Sequence, residues 1–193
     1  MLLVLASTSP YRRQLLERLR VPFEVISPEV DETALPNETP HDAALRLSAL
    51  KARAVARQFP NALIIGSDQI ASLNGQHLGK PGNHVAATAQ LHLMRGQEMI
   101  FHTGLSLYNS QIKRLQSQVI LTRVRIRNLT DQQIENYLLR DQPYDCAGSA
   151  RSEGLGIAIM DNLSGDDPTA LIGLPLITLN QMLFNEGYDV LSQ

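Results

Sequence analysis

The chain of 193 residues holds one cysteine, Cys146, so it forms no disulfide within itself, and no Cys/His spacing of a zinc site is present. It contains no apolar run near the roughly eighteen residues of a membrane-spanning helix, so no membrane partner is expected. The opening apolar run, Leu2 to Ala6, is too short for a signal-peptide core, and a cytoplasmic protein is expected. A dinucleotide fingerprint is missing, because Gly154-Leu155-Gly156 lacks the third glycine; a Walker A loop and a His-Glu-x-x-His pair are missing too. The net charge of −2 lacks the basic excess of a protein that coats polyanions, so no nucleic-acid partner is expected. Lysine is scarce. Of seventeen basic residues only Lys51, Lys80 and Lys113 are lysines, and arginine supplies the other fourteen. Lysine is the compact point charge that suits phosphate oxygens, so its few positions draw notice.

What is present reads as one globular α/β domain over residues 1–193, with ordinary apolar content of 44%. Leu2 to Ala6 reads as a buried strand. Ser7-Thr8-Ser9-Pro10 then turns into a helix with Ser9 as N-cap and Pro10 at its first position. Phe23 to Ile26 reads as a strand. Thr39 and Pro40 open a helix whose apolar spacing runs through Phe59. Ala62 to Ile65 reads as a central strand ending in the polar tip Gly66-Ser67-Asp68-Gln69. Asn74-Gly75 marks a hairpin, His84 to Met94 a helix, and 98–109 and 115–127 two long antiparallel strands. Thr130 to Gln133 is a capping box, Ile157 to Met160 a late strand, and a last amphipathic helix runs to Glu186. Together these elements predict a mixed central sheet with flanking helices and two lobes around a deep cleft.

Several residues are candidates for chemistry. The helix opened by Ser9 offers a positive dipole end beside Ser7, Arg12 and Arg13, which suits an anion. The same residues also describe an ordinary capped helix with surface arginines. Asp68 at a strand end lies where open α/β sheets place ligands, or is a turn aspartate. Glu29, Asp31 and Glu32 share a loop and read as solvated. Lys51 falls mid-helix, and Lys80 is pinned between Gly79 and Pro81. The stripe Arg123, Arg125 and Arg127 reads as a solvated strand face.

Ser7-x-Ser9-Pro10-x-Arg12-Arg13, Asp31-Glu32, Lys51, Gly66-Ser67-Asp68, Gly79-Lys80-Pro81 and Gly173-Leu174-Pro175 together resemble the Maf family of nucleotide pyrophosphatases, in order and over almost the whole chain. The resemblance implies a fold like that of the inosine-triphosphate pyrophosphatases. It also implies a divalent cofactor, magnesium or manganese, and hydrolysis of a nucleoside triphosphate to the monophosphate and pyrophosphate. Carried over, Asp68 becomes the base that activates water. Ser7, Ser9, Arg12, Arg13, Lys51 and Lys80 become the phosphate path, and Glu32 and Asp68 the metal ligands. The small-molecule nucleotide is then the partner; a homodimer is left open.

Gly66-Ser67-Asp68-Gln69, Ala147-Gly148-Ser149 and Ser152-Glu153-Gly154 resemble most the bacterial branch that hydrolyses 7-methyl-GTP, a house-cleaning activity against modified nucleotides. Where the branch acting on dTTP and UTP typically carries Arg, Thr and Gln, this chain has Tyr11, Gln69 and Glu153. Methylation makes the guanine cationic, an aromatic face attracts it, and a carboxylate accepts two parallel hydrogen bonds from the guanine edge. The 7-methyl-GTP branch often has tryptophan where this chain has Tyr11, so a softer discrimination is expected. The alternatives are a pyrophosphatase for dTTP, UTP or another non-standard nucleotide, and a nucleotide-binding regulator of septum formation.

Overall fold

The computed structural model describes residues 1–193. Seven strands form one sheet: β1 (Leu2–Ala6), β2 (Glu24–Ile26), β3 (Ala62–Leu73), β4 (Gln76–Leu78), β5 (Glu98–Asn109), β6 (Arg114–Ile126) and β7 (Met160–Gly165). Five helices flank it: α1 (Pro10–Glu17), α2 (Pro40–Ala54), α3 (His84–Met94), α4 (Asp131–Asp141) and α5 (Leu176–Asn185). The strand order is β2-β1-β3-β5-β6-β7, with β4 also on β3. β1 pairs parallel with β2 and β3, and every other pairing is antiparallel.

Local chemistry accounts for the element ends. Ser9 caps α1 and Thr39 caps α2, each with proline just inside; Thr130 and Gln133 form a reciprocal capping box on α4. Asn74 and Gly75 both take positive φ, as a tight hairpin between β3 and β4 requires.

Because side chains alternate along a strand, β3 has two unlike faces. Leu63 and Ile65 join α1 and α5 in one core with Leu3, Leu5, Leu15, Leu16, Leu179 and Leu183. Ala71 and Leu73, further along the same face, join α3 and α4 in a second core with Leu91, Met94, Phe101 and Ile134. These two cores are the two lobes. On the opposite face α2 lies almost on the backbone of the sheet. A Cβ at Gly66 would meet the Ser48 carbonyl and the Ala52 nitrogen, and one at Gly104 would meet the Ala44 carbonyl. The hydroxyls of Ser48, Ser106 and Ser117 form a chain of 2.8 Å hydrogen bonds that ties α2 to β5 and β6.

Three expectations are corrected. Asp68 is not at a strand tip, because β3 continues to Leu73 and Asp68 pairs with Gly104 in mid-strand. α2 ends at Ala54, and residues 55–59 tighten into i→i−3 turns ahead of Pro60. Leu155 to Ile159 is a 3-10 turn, and the late strand runs from Met160 to Gly165 instead. The Arg127 backbone N–H and guanidinium donate to the Ile159 and Ala158 carbonyls, which holds that short apolar run in a turn.

Gly66→Ala tests the close approach of α2. Overpacking at this site is expected to cost about 1–3 kcal/mol. Urea denaturation reads that loss, and nucleotide turnover falls further than stability explains, because α2 carries Lys51.

Candidate active site

β1 lies against β3 only as far as Gly66, and β4 takes up the same edge only from Ala71. Ser67, Asp68, Gln69 and Ile70 therefore have no strand beside them on that edge. A cleft of about 560 Å³ opens at this gap. Its walls come from the turn Ser7–Arg12, the loop carrying Glu32, Gly79–Lys80, the loop 145–153 and the turn ending at Gly173.

The α2 side of the gap holds the charges. Lys51 Nζ lies 2.6 Å from Asp68 Oδ1 and 2.8 Å from Glu32 Oε1, with its side chain only 6% exposed. A buried ammonium without partners would be costly, so the two carboxylates and the lysine hold one another in place. Arg12 faces the same carboxylates. Burial lowers the pKa of its guanidinium, and Asp68 and Glu32 raise it part of the way back. A poorly solvated guanidinium of this kind is well suited to phosphate oxygens. The loop bearing Glu32 is fastened to α2 by Arg46, which pairs with both Glu38 oxygens at 2.6 and 2.8 Å and donates to the Thr33 carbonyl.

Asp68 and Glu32 converge on one ammonium, so both carboxylates reach a single point. No third His, Cys, Asp or Glu joins them in a closed cage. Two carboxylate oxygens fit a hard cation that takes its other ligands from phosphate and water.

The other side of the gap is a hydrogen-bonded buckle. The turn Ala170–Ile172 and Gly173 present their carbonyls to β3 and α1. Ser67 Oγ donates to the Gly173 carbonyl at 2.8 Å, as does Arg12 Nε at 2.9 Å. Gln69 Nε2 shares its two hydrogens among the Ala170 and Leu171 carbonyls, both at 2.9 Å, and Thr103 Oγ1 at 3.0 Å, whose own hydroxyl donates to the Ala170 carbonyl. A carbonyl only accepts, so the Gln69 amide nitrogen must face the turn, and its oxygen is the atom left for a ligand. Buried Asp167 fastens the buckle by accepting from Thr169 and from the first N–H groups of α5.

Most of the residues expected from sequence meet at this cleft. Ser7 is buried and its hydroxyl accepts from the Ser9 N–H, while the Ser9 hydroxyl accepts from the Arg12 N–H. Lys51 is buried against Asp68, on the same face of α2 as Ala44, Leu47 and Ser48, and is not a solvated surface lysine. Lys80 lines the cleft and is exposed. Tyr11, Gln69 and Glu153 line the same cleft. Arg13 is not brought to the cleft: it projects from α1 into solvent and pairs with Glu17 one turn on, because it sits on the helix face away from Arg12.

Sequence reasoning missed Thr8, Arg151 and the structural part of Gly173, all of which line the cleft. Arg151 faces the Tyr11 phenol and pairs with Asp141, and both raise its pKa. Its one signal was to be a lone basic residue in a small-residue loop. Cys146 also lines the wall, but burial and Asp145 push its thiol up to about 12, so no thiolate nucleophile forms there.

The family profile described as Maf-like protein matches residues 2–186. The chain is 60% identical over 190 residues to a 7-methyl-GTP pyrophosphatase of Thiobacillus denitrificans, covering 98% of this chain and 94% of that protein. It is 56% identical over 189 residues to a 7-methyl-GTP pyrophosphatase of Methylobacillus flagellatus, covering 98% of each. Among solved structures it is similar to the Staphylococcus aureus Ham1 protein, with a TM-score of 0.47, 15% identity, and 66% and 73% of the two chains covered.

The clasp that holds the Glu32 loop has a pH signature. Arg46 is the main cause of a Glu38 pKa lowered from 4.5 to about 2. A lowered carboxylate pKa contributes stability that is complete above about 4.5 and lost as pH falls through about 2. The stability difference between wild type and Glu38→Gln is therefore expected to be constant at neutral pH and to close towards pH 2, read by chemical denaturation across pH.

Proposed function

The chain belongs to the Maf family, and from that premise we propose that it hydrolyses 7-methyl-GTP to 7-methyl-GMP and pyrophosphate. It is thus a hydrolase acting on an acid anhydride, with a house-cleaning role against modified nucleotides. The observation that carries the chemistry is the convergence of Asp68, Lys51, Glu32 and Arg12 at the gap in the sheet. The names of the similar proteins support the choice of nucleotide, as do Tyr11, Gln69 and Glu153 in the wall of the cleft.

A bound triphosphate meets cations from separate segments of the wall: Arg12 from α1, Lys51 from α2 and Lys80 from the loop after β4. Lys51 exchanges part of its contact with the carboxylates for phosphate oxygens, which its flexible stem permits. Asp68 then orients the attacking water towards phosphorus and accepts its proton. Arg12 and the lysines are in place where negative charge develops on the transferring and leaving oxygens. Magnesium or manganese, held by Asp68 and Glu32, would supply further charge neutralisation there.

In the same cleft, Tyr11 offers an aromatic face to the cationic purine. Glu153 accepts from the two parallel donors of the guanine edge, and the Gln69 oxygen is a further acceptor. A uracil or thymine edge has no such pair of donors.

A pyrophosphate-release assay with 7-methyl-GTP, GTP, UTP and dTTP tests the substrate directly, and faster turnover of UTP or dTTP than of 7-methyl-GTP would overturn it. Asp68→Asn should lose about two or more orders of magnitude in kcat with nucleotide binding retained, as for loss of a general base; near-wild-type turnover removes Asp68 from that role. Lys80→Ala should weaken all four triphosphates alike, whereas Arg13→Ala should leave kinetics unchanged. Glu153→Gln turns one acceptor into a donor and should cost roughly 2–4 kcal/mol of transition-state binding for 7-methyl-GTP. Its effect on UTP should be much smaller, and equal losses on both show that Glu153 does not read the base.

A further inference from the structure

The loop that carries Glu153 is held from behind by a carboxylate outside the catalytic groups. Asp141 is the last residue of α4, and its side chain is only 6% exposed. An acid at a helix C-terminus opposes the helix dipole, so this position needs a compensating cation. Arg151 supplies it: Nη2 donates to Asp141 Oδ1 at 2.5 Å, and the same oxygen accepts the Leu155 N–H at 3.2 Å. The second carboxylate oxygen is buried with no partner. Asp141 is thus bound to one cation.

The segment between these contacts is a tight knuckle with Glu153 at its tip. A Cβ at Gly154 would lie 2.6 Å from Arg151 Nε and 2.8 Å from Asp141 Oδ1, and one at Gly156 would meet the Arg151 backbone. The knuckle therefore closes directly over the ion pair. Arg151 and Glu153 both line the cleft, two residues apart, yet they form no ion pair. The only hydrogen-bond partner of the Glu153 carboxylate is the neighbouring Ser152 hydroxyl.

We propose that Asp141 is a positioning residue for base selection: it holds Arg151 away from Glu153 and so keeps the Glu153 carboxylate available to the nucleobase. The proposal rests on Glu153 as the base-reading acid. Released from Asp141, the Arg151 guanidinium keeps only the Tyr11 phenol beside it, and its remaining donors form a fork that matches a carboxylate. Pairing with Glu153 would cancel its charge and occupy both acceptors, while the phosphate contacts of Arg12, Lys51 and Lys80 would be untouched.

The test is kcat/KM for 7-methyl-GTP and for UTP in wild type, E153Q, D141N, D141N/R151Q and D141N/R151K, with the thermal midpoint of each. D141N should lower the 7-methyl-GTP to UTP ratio about tenfold, in the range expected when a polar partner in a closed site is lost. D141N/R151Q should restore the ratio, because no cation remains to capture Glu153, and D141N/R151K should not. The contrast between the two double variants stands even where D141N alone does not fold. A purely structural clasp would lower the midpoint and both substrates alike, with glutamine and lysine at position 151 giving the same ratio; that result overturns the proposal. E153Q separates the two layers: an unchanged ratio in E153Q defeats the reading of Glu153 itself. A lowered ratio there, with equal ratios in the double variants, defeats only the part given to Asp141.

Discussion

The ammonium of Lys51, buried between Asp68 and Glu32, is the interaction on which the rest of the site depends. Such a charge is costly to desolvate and is tolerated only when its partners are close and held. Each partner therefore has its own support. Asp68 is fixed in mid-strand by pairing of β3 with β5. Glu32 is fixed through the Arg46–Glu38 clasp on the helix that also carries Lys51. Lys51 reaches Asp68 because α2 lies on the sheet backbone at Gly66 and Gly104. Helix approach, loop anchoring and strand register all serve one cluster of charge.

The gap in the sheet divides labour by the alternation of a strand. Asp68 points towards α2 and the charged cluster. Ser67 and Gln69, one residue to either side, point the opposite way and bind the carbonyls of the 170–173 turn. That turn lies where the two hydrophobic cores meet, with Ala170 in one and Leu171 in the other. It also receives Arg12 through the Gly173 carbonyl. The turn that leads into Gly173-Leu174-Pro175, read from sequence as a motif without a task, thus anchors both the Arg12 guanidinium and the Gln69 amide. One short segment couples the lobes to each other and to the walls of the cleft.

The sequence by itself determined the order and type of nearly every element, because those signals are local. Ser9, Thr39 and Thr130 cap their helices through hydrogen bonds three residues away, and Asn74-Gly75 turns its hairpin through its own backbone angles. It also named most of the residues that meet in the cleft, since motifs in a fixed order carry that information. Only the tertiary structure decided what those residues face. Arg12 and Arg13 are adjacent in the chain and alike in chemistry, yet one enters the cleft and the other pairs with Glu17 in solvent. Lys51 falls at helical spacing from Ala44, Leu47 and Val55, which leaves open whether the lysine or Leu50 faces the sheet; it is Lys51 that is buried, where Gly66 and Gly104 let the helix descend onto β3 and β5. Asp141 and Arg151 show nothing in the chain that links them. Partners separated by ten or a hundred residues are chosen by packing and by the cost of leaving a buried charge or donor unpaired, and neither is written at any single position.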